Sequence, residues 1–206
     1  MSLVLKHYTK LKPIACKALS GDINKLITVR LDGVQHRDMA ILKGDPVILG
    51  MLGYNDEPLI YGGRVIAINP RKDSFLICSK RADAQAEELR RREFFRYPAS
   101  LIADVKPAGL GKWEDACIID ISYSGMRIYS AGKFEVDSII ELNVFSGNSI
   151  LKFDAMISRK TKNFNRNEYG IQIINEDKNN IYATQNKIFK ILRAETSLMY
   201  SCLLDF

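Results

Sequence analysis

Apolar and polar residues alternate along much of the chain, in short segments. Ile140, Leu142 and Val144 are interleaved with Glu141 and Asn143, and Leu151, Phe153, Ala155 and Ile157 with Lys152 and Asp154. A period of two puts alternate side chains on one face, so these segments predict half-buried antiparallel strands over 138–145 and 150–158. Ser146-Gly147-Asn148 joins them as a short glycine-containing hairpin loop. The same reading predicts strands over 99–106, 115–121, 125–130 and 168–175, with a polar turn from Asn163 to Asn167. Earlier in the chain, LITVRL (26–31), PVILGML (46–52), PLIYGGRVIAI (58–68) and SFLICS (74–79) also read as strands. Turn residues separate them: Asp32-Gly33, Gly44-Asp45-Pro46, Asn55-Asp56 and Asn69-Pro70. Gly62-Gly63, inside a strand run, marks a bulge or a close approach of backbone.

Two segments break the strand pattern. KRADAQAEELRRREFFR (80–96) is rich in charge and helix formers and reads as a connector that begins with a helical turn or two. Pro98 disfavours the helical region at Tyr97, so any helix ends before it. From Asp177 on, Ile181, Gln185, Ile188, Phe189, Ile191 and Leu192 fall near helical spacing with lysines opposite, which predicts an amphipathic helix over 177–195. The fold class is therefore mainly β, with the first half a small β-barrel or sandwich; the reading adopted is two small β-barrel domains in tandem, at 1–85 and 86–206, the second six-stranded with a C-terminal helix. The final SLMYSCLLDF can cover its own domain or a partner, and burial is the default for its Leu, Met and Phe.

Composition narrows the function classes. The 206 residues are 47% hydrophobic and 26% charged, enough apolar material for one or two cores. No apolar run reaches the ~18 residues of a membrane span, and the first 22 residues lack the uninterrupted apolar stretch of a secretory signal. None of the four cysteines (Cys16, Cys78, Cys117, Cys202) lies in a C-x-x-C pair, so a cytoplasmic setting without structural zinc is expected. The only histidines are His7 and His36, and there is no H-E-x-x-H, G-x-S-x-G or phosphate-binding glycine loop. The expectation is a non-enzymatic protein with no catalytic residues, metal or cofactor. A net charge of +6 suits an anionic partner without identifying one.

Two clusters carry candidate chemistry. The first is Arg90-Arg91-Arg92-Glu93-Phe94-Phe95-Arg96. Guanidinium groups are planar, permanently charged forks that pair with phosphate oxygens or the O6/N7 edge of guanine and stack on flat rings. If Phe94 or Phe95 anchors the segment, Arg92 and Arg96 are held at a fixed spacing. Without such an anchor, the run is a solvated basic connector. The second cluster is Asp120-Ile121-Ser122-Tyr123-Ser124-Gly125, between two strands. A strand-end carboxylate can accept from guanine N1–H and N2–H, a serine hydroxyl can donate or accept, and glycine permits a positive φ or a close backbone approach. The same residues also make an ordinary β-turn.

Taken together, Arg-x-x-x-Arg, then about two dozen residues, then Asp-x-Ser-x-x-Gly, within six strands and a final helix, resembles the PilZ domain. The matching residues are Arg92 and Arg96, then Asp120, Ser122 and Gly125, and YGIQII (169–174) resembles that family's last strand. The resemblance covers about residues 90–195 and leaves no signature position unfilled. The strand YGGRVIAI ahead of it resembles the N-terminal barrel of flagellar-brake proteins.

The resemblance implies a receptor for the second messenger cyclic di-GMP. The arginine segment would latch over the ligand, Asp120 and Ser122 would read a guanine edge, and Gly125 would leave room for the base. Arg91, immediately before the first signature arginine, implies an intercalated ligand dimer rather than a single molecule. Binding at the interdomain connector would favour one of two domain orientations and relay the signal to a protein effector such as the flagellar motor or polysaccharide machinery. The protein would act as a monomer or homodimer, with no DNA partner and no membrane span. Two rival readings stand beside this one. A nucleic-acid-binding β-barrel would place the same arginines on phosphates and use Phe94 and Phe95 for stacking. A ligand-independent PilZ-like protein-interaction module would not need the arginines at all.

Overall fold

The computed structural model describes residues 2–32, 40–81, 94–109, 111–164, 166–175 and 178–205. The period-two segments are strands, and they close into two separate barrels. The first is built from β1 (Ser2–His7), β2 (Ile14–Asp22), β3 (Leu26–Leu31), β4 (Pro46–Leu52), β5 (Pro58–Asn69) and β6 (Ser74–Arg81), in the order β1-β2-β3-β6-β5-β4. The second comprises β7 (Tyr97–Pro107), β8 (Glu114–Ser122), β9 (Gly125–Ser130), β10 (Ile139–Ser146), β11 (Ser149–Asn163) and β12 (Arg166–Ile173), in the order β10-β11-β12-β9-β8-β7. Closure leaves no open sheet edge. One helix, α1 (Lys178–Leu204), follows. The architecture is the expected one, mainly β with two barrels in tandem, the second six-stranded, and a C-terminal helix; the first barrel has six strands as well, where the sequence pattern shows four. The helical start expected in 80–96 lies almost wholly outside the described residues; Lys80 and Arg81 end β6.

Strands β1 and β2 escape the periodicity reading, for different reasons. In β1, Lys6 and His7 are as buried as the leucines beside them, so polarity no longer reports exposure. His7 Nε2 lies 3.1 Å from Asp45 Oδ2, and its Nδ1 lies 2.7 Å from the Thr9 hydroxyl. The Lys6 ammonium donates to the Ser100 carbonyl at 3.0 Å and pairs with Glu195. Strand β2 is exposed along most of its length and has little apolar pattern to show.

Interior side chains alternate as the pleat requires. The first core holds Leu3, Leu5, Ile27, Val29, Val47, Leu49, Val65 and Ile77. Gly62 and Gly63 are close-approach positions: a Cβ would come 2.6 Å from Pro98 Cβ and 2.7 Å from Ile77 Cγ2, respectively. The bulge of this strand lies farther on, between Val65 and Ala67. In the second barrel, Ile118, Ile121, Met126, Ile128, Ile140, Leu142, Ile157 and Tyr169 are almost fully buried. The Tyr169 hydroxyl donates to Gly132 O at 2.7 Å and accepts from Phe134 N at 3.2 Å, which satisfies its polar end inside the core.

The described residues fall into two compact units. One contains the first barrel, Pro98–Ser100 and residues 195–205; the other contains residues 94–97 and the described part of Leu101–Ala194. The helix runs nine residues past the expected end at 195, because Met199 and Leu203 continue the buried stripe of Ile188 and Ile191 at helical spacing. Met199 and Leu203 pack with Val4 and Ile48 of the first barrel, and the missing Cβ of Gly50 makes room for the Met199 methyl. The buried face also differs from the expected one in detail: Ile181 and Phe189 are exposed, at 41% and 53%. Among the described residues, no helix is long and apolar enough to cross a membrane.

Candidate ligand-binding site

Strands β8 and β9 form a hairpin around Tyr123-Ser124, with Ser122 opposite Gly125, Ile121 opposite Met126 and Asp120 opposite Arg127. Between Ile118 and Asp120 the register shifts by one residue. A bulge of this kind inserts an extra residue and re-aims the side chains beside it. Ile118 and Ile121 both point into the core, while Ile119 and Asp120 share the outer face. Asp120 therefore follows the apolar run of β8, two residues before its end, and still faces away from the core, although it is only 9% exposed.

Two cations enclose its carboxylate. The guanidinium of Arg96 donates to Oδ1 at 2.9 Å, and Arg127 Nε lies 2.8 Å from Oδ2. The Arg127 contact is an ion pair without hydrogen-bond alignment, and this buried Nε has no hydrogen-bond partner. The Ser122 hydroxyl donates to Gly125 O at 3.0 Å, which leaves its lone pairs as acceptors. Gly125 does not have a positive φ. An added Cβ would come 2.1 Å from Ile171 O, so this glycine is required by the close approach of β12.

The arginine segment is anchored by aromatic edges rather than by insertion into the core. Phe94 meets Tyr123 of the hairpin turn edge-on at 6.4 Å, and Phe95 meets Tyr97 at 4.6 Å. Both phenylalanines are half-buried. Arg96, next to these anchors, is the signature arginine that the structure brings to Asp120. Arg91 and Arg92 lie outside the described residues.

Sequence reasoning missed Arg127. The signal was available: once Tyr123-Ser124 is taken as a two-residue turn, counting outward pairs position 120 with position 127. It also missed Arg159, which reaches this face through a second bulge, between Ile157 and Arg159.

Residues 90–190 match the family model described as PilZ domain. No curated protein sequence matches the chain. Solved structures that resemble it include the following. The Bacillus subtilis inhibitor of motility (MotI/DgrA) is 15% identical, with 92% of this chain and 94% of that one covered and a TM-score of 0.38. YcgR from Escherichia coli in complex with c-di-GMP is 13% identical, with 95% and 85% covered and a TM-score of 0.42. The K. pneumonia MrkH–c-di-GMP complex is 10% identical, with 95% and 88% covered and a TM-score of 0.42.

Proposed function

Residues 90–190 of this chain are a PilZ domain, and from that premise we propose that the protein is a non-enzymatic receptor for cyclic di-GMP, with Arg91, Arg92, Arg96, Asp120, Ser122 and Gly125 forming the ligand site. The observation that carries this reading is the pairing of Arg96 with Asp120 across 24 positions, which joins the two halves of the sequence signature. The Asp120 carboxylate is paired with the guanidiniums of Arg96 and Arg127. A guanine offers the same carboxylate two parallel N–H donors. Binding exchanges the Arg96 contact for these donors and releases the guanidinium to a phosphate or to the face of a base. Arg127 stays behind as the counter-ion, so the carboxylate keeps a positive partner throughout.

The magnitudes are compatible with a signalling affinity. A micromolar constant needs about −8 kcal/mol, and each bidentate arginine–guanine pair discriminates by about 1–3 kcal/mol. Several such contacts together with stacking reach this range after ordering costs. The arginines lie on the connector that precedes the second barrel. The relay then follows as a ligand-biased change in domain orientation, passed to a protein effector of motility or surface attachment.

Titration calorimetry of the full chain with cyclic di-GMP tests the reading. Micromolar binding is expected, weakened by one to two decades in Arg96→Ala and Asp120→Ala. The reading fails if no heat develops at tens of micromolar ligand. Steep loss of single-stranded nucleic-acid affinity with salt, without competition from the dinucleotide, would instead identify a nucleic-acid binder.

A further inference from the structure

The two bulges of the second barrel fall on one row of the sheet. Asp120 of β8 is opposite Arg127 of β9, Arg127 is opposite Gly170 of β12, and Gly170 is opposite Arg159 of β11. At one end, the bulge puts Ile119 and Asp120 together on the outer face. At the other, Ser158 and Arg159 are both exposed next to the buried Ile157. Each bulge adds a side chain to a row that regular pleating would have filled with one.

Gly170 creates a gap in the row, and Arg159 lies in it. An ideal Cβ on Gly170 would come 2.8 Å from Arg159 Cγ and 3.0 Å from its Nε. The arginine stem thus crosses the β12 backbone on the face where β9 presents Arg127. Ser158 Oγ donates to Gly170 O at 2.9 Å and fixes the bulge beneath it. Among the described residues Arg159 has no ion pair, and Arg127 Nε has no hydrogen-bond partner. Arg96 and Arg127 pair with the Asp120 carboxylate, Arg159 lies farther along the same row, and the buried Glu168 stands two residues before Gly170 on β12, so three guanidiniums share this face with two carboxylates. The planar, weakly hydrated guanidinium of Arg159, without an ion pair among the described residues and next in the row to Arg127, suits a phosphate oxygen pair.

We propose that Arg127 and Arg159, spaced by Gly170, form an anion subsite that extends the site at Asp120 and holds a phosphodiester of the bound ligand. This rests on the cyclic di-GMP reading for the identity of the ligand, but not for the presence of the subsite. Arg159 binds the phosphodiester directly. Gly170 acts as a positioning residue, because its missing side chain lets the guanidinium lie inward.

Calorimetry of the full chain with cyclic di-GMP, and separately with inorganic pyrophosphate, tests this in wild type, Arg159→Gln, Gly170→Ala and the double variant. Arg159→Gln is expected to weaken dinucleotide binding about fivefold to tenfold with an unchanged melting temperature. Gly170→Ala should reproduce that loss by pushing the arginine aside, and the double variant should be no weaker than either single one. Dinucleotide affinity of Arg159→Gln within twofold of wild type overturns the subsite, as does full additivity of the two changes. If wild type ignores the dinucleotide but binds pyrophosphate through Arg159, the subsite stands and the cyclic di-GMP reading falls. If it binds neither, both fall.

Discussion

Arg127 faces Asp120 directly across the β8–β9 hairpin, its Nε 2.8 Å from Oδ2, while Arg96 approaches Oδ1 of the same carboxylate from the connector at 2.9 Å. One contact is built into strand register and the other comes from a segment 24 positions away, so the two cations have different freedom. Arg127 is held by its hairpin. Arg96 depends on the edge contact of Phe94 with Tyr123 and on the turn of chain before Pro98.

That difference separates two variants. Arg127→Met should leave Asp120 dependent on Arg96 alone, strengthen that pair and make the ligand compete harder. Dinucleotide affinity should fall about tenfold with little change in folding stability, because Arg96 still neutralises the Asp120 carboxylate. Phe94→Ala should loosen Arg96 instead, chiefly slowing association. Stopped-flow binding resolves the two effects.

Gly125→Ala should be among the most damaging small changes in the second barrel. The new methyl meets the Ile171 carbonyl at 2.1 Å, and this neighbour is backbone, so β9 and β12 must part. A loss of about 2–4 kcal/mol is expected, as for other severe core disruptions, measured by urea unfolding. A variant as stable as wild type would mean that β9 and β12 do not approach this closely.

The Lys6–Glu195 pair ties β1 to the helix within the first compact unit, and the Lys6 ammonium also binds Ser100 O. Lys6→Met alone should cost roughly 3–5 kcal/mol, since it leaves a largely buried carboxylate unpaired. Adding Glu195→Leu should recover most of that loss, because the desolvated charge is then gone. Denaturant melts of the three proteins provide the comparison.

Burial, with a smaller contribution from Asp32, pushes the Cys16 thiol up from its ordinary value of 9.0 to about 12. In the unfolded chain the thiol ionises near its ordinary value, whereas in the folded protein it stays neutral. Its contribution to stability is therefore complete below about pH 9 and is lost between about pH 9 and 12, by roughly 1.4 kcal/mol per pH unit. Cys16→Ser should flatten the alkaline limb of the stability curve. Exposed Cys78 should alkylate at neutral pH while Cys16 remains unmodified, as read by mass spectrometry of the native protein.

Much of the fold could be read from local pattern. Ile140-Glu141-Leu142-Asn143-Val144 and Leu151-Lys152-Phe153-Asp154-Ala155 alternate because a strand in a closed barrel has one wet face and one dry face. That constraint acts on neighbours in sequence, so the chain displays it openly. Arg96, Asp120, Ser122 and Gly125 were legible for a related reason: their spacing forms a compact pattern of chemically distinctive residues. Strand β1 was not, since Lys6 and His7 are buried against Ser100, Glu195 and Asp45, partners whose positions no local period encodes. The helix end was misjudged because Met199 and Leu203 are buried by Val4 and Ile48, about 150 to 200 positions away.

Sequence alone determined that the chain is built from half-buried strands and where Arg96, Asp120, Ser122 and Gly125 fall along it, because alternation and side-chain type are local properties. Only the tertiary structure decided which charges meet. A one-residue bulge in β8 and another in β11 turn Asp120 and Arg159 onto the same outer row as Arg127. A bulge shifts pairing between strands while leaving composition and spacing almost unmarked, so its effect becomes visible only when the strands are side by side.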